Sequence, residues 1–148
     1  MKKLLMGLLL LAASAACTTR STVIPAEPPP AVGPRAALDA FLGAIKSQDL
    51  QALAAAWGDA NGSIRDNTKV TRSELEQREL ILMRCFAHDK YQVLSDAAAA
   101  QAERVMAVEL TRGTNRRTTN FFLAKGQDRW YVRTANMDPL QDFCTQRR

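Results

Sequence analysis

Between Arg35 and Ser47 the apolar residues Leu38, Phe41, Leu42 and Ile45 recur at i, i+3, i+4 and i+7, the spacing of one buried helical face, with Asp39 and Lys46 facing outward. Asp49 then stands where an N-cap belongs, and Leu50, Leu53, Ala54 and Trp57 repeat the helical spacing until Gly58 stops it. Asp59 to Lys69 is polar and contains Gly62, which predicts a loop with at most a short strand near Ile64. Thr71-Arg72-Ser73-Glu74 fits a capping box and opens a third helix running to about Phe86, with Leu75, Leu82, Cys85 and Phe86 on its apolar side.

The period then changes from helical to alternating. Lys90 to Ser95 reads as a strand with Tyr91 and Val93 on one face. From Glu103 to Arg112, Met106, Val108 and Leu110 alternate with Ala107, Glu109 and Thr111. Gly113-Thr114-Asn115 makes a turn into Arg117 to Lys125, and Gly126-Gln127-Asp128 makes another into Arg129 to Thr134, where Trp130 and Val132 share a face. Asp138-Pro139 starts a last helical turn holding Leu140, Phe143 and Cys144. Helices first and an antiparallel meander afterwards specify an α+β domain, its N-terminal helices packed on the sheet.

The first 34 residues follow neither period. Lys2 and Lys3, the apolar run Leu4–Leu11 and the small residues Ala12–Ala16 have the three parts of a signal peptide, residues 1–16. That run is far shorter than the roughly 20 apolar residues of a membrane span. Ser14-Ala15-Ala16-Cys17 resembles the lipobox of bacterial lipoproteins, which implies lipidation of Cys17 and anchoring in the cell envelope, facing the periplasm and more often at the outer than the inner membrane. Ser14 replaces the usual aliphatic residue, so ordinary cleavage and a soluble periplasmic product stay open. Residues 17–34 form a tether, with prolines at 25, 28, 29, 30 and 34 that favour extended polyproline geometry. The domain takes residues 35–148.

Charge narrows the partners. Without Lys2 and Lys3 the chain carries 18 basic and 15 acidic residues, a net charge of +3. That allows attraction to anionic surfaces but is no nucleic-acid-binding stripe. Of the three cysteines, Cys85 and Cys144 form an even pair once Cys17 is lipidated, and an oxidising compartment favours a disulfide between them. Two buried free thiols, or a zinc site built from Cys85, His88, Cys144 and Asp89, are the competing readings. A closed zinc site needs four good ligands and Asp89 is a poor fourth, so no metal and no cofactor is expected.

The opening Ala36 to Leu53, two amphipathic helices broken at Asp49 and ending on Trp57, together with the closing Arg129-Trp130-Tyr131-Val132, resembles the nuclear-transport-factor-2-like superfamily, also called ketosteroid isomerase-like. The resemblance covers about Arg35 to Cys144 and rests on packing patterns. It implies a curved sheet and helices enclosing a cone-shaped α+β barrel, with pairing of two copies across the exposed sheet face. It leaves activity to the site itself, because one such fold carries many functions.

Tyr91, His88 and Trp130 are the candidate ligand-pocket residues, although Trp57 and Trp130 also read as core aromatics and Tyr91 as a sheet aromatic. No catalytic residue is assigned. The expected inward set, Leu42, Met106, Val108, Leu110, Phe121 and Leu123, is apolar. It favours a non-enzymatic module that binds an apolar small molecule or an envelope protein. The alternative, a small isomerase or dehydratase, needs two convergent polar groups in the cone. Arg112, Arg116 and Arg117, around the Gly113 turn, read as a solvated edge.

Overall fold

The computed structural model describes residues 31–66 and 69–145; the expected signal peptide, Cys17 and the expected tether before Ala31 lie outside the described residues. Pro34 occupies the first turn of α1 (Pro34–Ser47), where its missing N–H costs nothing. The helix ends at Gln48, which adopts the left-handed conformation at φ 59°. Asp49 follows at once and caps α2 (Leu50–Ala56), its Oδ1 accepting from the Ala52 amide at 2.9 Å.

Gly58 to Ser63 forms a hairpin of two-residue strands, β1 (Gly58–Asp59) and β2 (Gly62–Ser63), where the sequence predicts a loop with at most a short strand. Gly58 is required here, because a Cβ would lie 2.3 Å from the Gly62 carbonyl oxygen. Gly62 supplies the positive φ of 127°. Polar residues hide so short a strand pair from any periodicity argument.

The capping box of α3 (Arg72–Cys85) forms as expected: Thr71 Oγ1 accepts from the Glu74 amide, and Glu74 Oε2 accepts from the Thr71 amide at 3.1 Å. Strands β3 (Lys90–Ala98), β4 (Glu103–Arg112), β5 (Asn115–Lys125) and β6 (Trp130–Ala135) make an antiparallel sheet in sequence order, with β3 and β6 outermost. β3 runs three residues beyond its expected end, because a bulge between Val93 and Ser95 restarts its pairing with β4. A 3-10 turn and the short helix α4 (Gln141–Thr145) close the described chain.

The space between helices and sheet is filled. Leu38, Phe41, Leu42, Ile45 and Leu53 from the helices meet Met106, Val108, Leu110, Phe121 and Leu123 from the sheet, all buried. Phe41, Phe86 and Phe121 form an aromatic triangle, their centroids 5.3–6.2 Å apart in edge and tilted geometries. The inward set read from alternation is thus the observed core.

Cys85, at the end of α3, forms a disulfide with Cys144 of α4, 59 residues away. The three arginines at the Gly113 turn are engaged, not merely solvated. Arg117 pairs with Asp142 at 2.6 Å, Arg112 donates to the Phe143 carbonyl at 2.9 Å, and Arg116 approaches Glu109. Two of them therefore help hold α4 in place.

Candidate functional site

Trp57, at the end of α2, is one link between helices and sheet. Its backbone makes a parallel bridge to Val132 on the β6 edge, and its indole N–H donates to the Arg133 carbonyl at 3.2 Å. Trp57 is thereby held against β6 in a fixed orientation and walls the space beside it. On one side of it lies an apolar groove of about 230 Å³, lined by Phe41, Leu82, Phe86, Val132, Ala135 and Met137, with Ile81 at the rim. Half of the Ile81 side chain is exposed, as is its neighbour Leu80, so α3 presents uncovered apolar surface beside the groove.

Among the described residues, the charged side chains lining this groove are Arg78 and Arg133. Arg133 is held by Glu103 at 2.7 Å and lies 5.9 Å over the Phe122 ring. On the other side of Trp57 is a polar cleft of about 510 Å³, walled by the Gly58–Ser63 hairpin, Asp66, Lys69 and Arg133. Its acceptors are largely committed: Ser63 donates to Asp66 at 2.7 Å, and Asp59 accepts from the Asn61 amide.

Of the three candidate pocket residues, the structure brings two together and leaves the third apart. Tyr91 and His88 meet edge to face, centroids 5.5 Å apart, in a shallow cleft with Asp39, Lys46 and Asp89. The Tyr91 hydroxyl points away from the core and donates to Asp39 at 2.6 Å, and Arg35 donates to the same carboxylate at 2.8 Å. Burial first, and then the Asp39 carboxylate, push the Tyr91 phenol above its ordinary value. His88 is buried, with Nδ1 2.8 Å from the Phe86 carbonyl oxygen. A carbonyl only accepts, so Nδ1 carries a proton. Trp130 lies elsewhere, over a small cleft with Ala31, Ala37, Ala40, Ala52 and Ala55, and its amide donates to the Ala31 carbonyl.

The disulfide uses both thiols, so neither Cys85 nor Cys144 is a thiolate available to a metal or as a nucleophile.

Three residues of interest escape a sequence reading. Arg78 and Arg133 are ordinary surface cations until the fold sets them beside one groove. Glu79 is only 2% exposed, and its Oε1 has no hydrogen-bond partner among the described residues. Desolvation, reinforced by Glu76, raises the Glu79 carboxyl above its ordinary value. The signal for Glu79 is its position: four residues after Leu75 and three before Leu82, it lies on the helix's own apolar stripe.

No protein-family model, curated protein or solved structure matches this chain.

Proposed function

We propose that the chain is an exported, membrane-anchored binding module, a cone-type α+β domain whose interior is packed shut and whose remaining mouth, the groove between α3 and β6, takes an apolar ligand. The groove carries this reading. It combines phenyl and aliphatic walls with the exposed Ile81 beside it, on a domain whose core leaves the interior closed. At about 230 Å³ it falls below the roughly 300–1,000 Å³ of sites that enclose drug-sized ligands, so the occupant is small or enters only in part. The lipobox-like Ala16-Cys17 junction and the proline-rich tether support placement of this groove at the periplasmic side of an envelope membrane.

The isomerase or dehydratase alternative is supported less well. Tyr91, Asp39 and Arg35 satisfy one another on the outside of α1, and the groove wall is mainly apolar. The test is a two-dimensional amide NMR titration of the full chain with octanol in detergent-free buffer. Saturable shifts confined to Ile81, Leu82, Val132 and Ala135 are expected. Shifts absent there, or centred on Tyr91 and His88, overturn the reading.

A further inference from the structure

The groove's charge goes further than its apolarity and points to the class of ligand. Among the described residues, both charged side chains that line it are cationic, Arg78 from α3 and Arg133 from β6. They come from opposite walls, so an apolar chain lying between those walls ends beside guanidinium groups rather than carboxylates. Arg133 is fixed in place by two contacts to Glu103, at 2.7 and 3.1 Å, and by its position over Phe122. The Glu103 carboxylate offsets part of that charge. Arg78 differs. The acid one turn before it, Glu74, spends its hydrogen bonds on the amide and hydroxyl of Thr71 and offsets Arg78 only through space. The planar guanidinium fork of Arg78 matches a carboxylate.

From this we infer that the groove selects a short single-chain apolar acid, its chain between Leu82, Phe86 and Val132 and its carboxylate at Arg78. The inference rests on the reading of the groove as an apolar-ligand site and adds selectivity for a negative head. Octanoate, octanol and octyltrimethylammonium share a tail and differ in head charge, so they separate the two claims. In NMR titrations of the full chain, octanoate should bind at least tenfold more tightly than octanol, and the ammonium compound more weakly than either. Arg78 is exposed, so Arg78→Gln should leave the fold intact. It should close the gap between octanoate and octanol, and Arg78→Lys should keep part of the preference. Equal binding of all three probes, or an octanoate preference that survives Arg78→Gln, overturns the acid selectivity and leaves the apolar groove standing. Binding of none of them overturns the groove reading itself.

Discussion

The hydroxyl of Tyr91, on the edge strand β3, donates to the Asp39 carboxylate of α1 at 2.6 Å, and so ties the sheet edge to the first helix across 52 residues of sequence. The bond turns the candidate pocket tyrosine into a structural contact. Tyr91→Phe should cost at most about 1 kcal/mol, because the pair is partly solvated. The folded phenol titrates above its ordinary value of 10.0, so its stabilising contribution is full below pH 10 and is lost as pH rises through the folded value. Chemical denaturation of wild type and Tyr91→Phe at neutral and strongly alkaline pH measures both effects. A larger loss at neutral pH would show that the hydroxyl's bond to Asp39 is worth more than a partly solvated contact.

The Cys85–Cys144 disulfide ties α3 to α4. Removing it with the double variant Cys85→Ser, Cys144→Ser should destabilise the domain by about 4 kcal/mol on chain-entropy grounds. Urea unfolding with and without reductant should give the same difference for wild type. The oxidised domain should contain no reactive thiol, and labelling of either cysteine in the native protein would contradict the bridge.

Glu79 is a cost built into α3. A buried carboxylate with an unpartnered oxygen folds more readily when protonated. Its folded value is raised, so the stabilising contribution of the neutral form is full below the ordinary value of 4.5. That contribution is lost as pH rises through the folded value. Glu79→Gln should therefore stabilise the protein by about 1 kcal/mol at pH 7, an advantage that shrinks toward pH 4. Melting curves across that range decide it: a pH-independent difference would mean that Glu79 is ionised with an adequate partner.

Phe86 belongs both to the aromatic triangle and to the groove wall. Phe86→Ala should cost about 3–5 kcal/mol and enlarge the groove. Part of the loss should return on adding a small apolar molecule, read as a rise in melting temperature larger than that of wild type.

Anchoring is tested at Cys17. With a lipidated Cys17, the Cys17→Ala variant should leave the membrane fraction for the soluble periplasmic fraction. Retention in the membrane would remove lipidation as the anchor.

Most elements were legible because their determinants are local. Asp49 and Thr71 cap the helices that follow them through hydrogen bonds three residues long. The alternation of Met106, Val108 and Leu110 is the pleat of β4 itself, and all three are buried. The pairing of Cys85 with Cys144 was one of three readings, since no local rule relates residues 59 positions apart. The Gly58–Ser63 hairpin is not legible as a pair of strands, because two-residue strands show no period.

The sequence by itself determined the α+β order of elements, the helix starts and the apolar set that fills the core, because period, caps and turns act within a few residues. Tertiary structure alone decided which faces meet. It sent the Tyr91 hydroxyl outward to Asp39, set Trp130 apart from His88, buried Glu79, and placed Arg78 and Arg133 on facing walls of one groove. Those outcomes depend on how the helices lie across the sheet, and that is a contest among packed surfaces far apart in the chain, which no local pattern encodes.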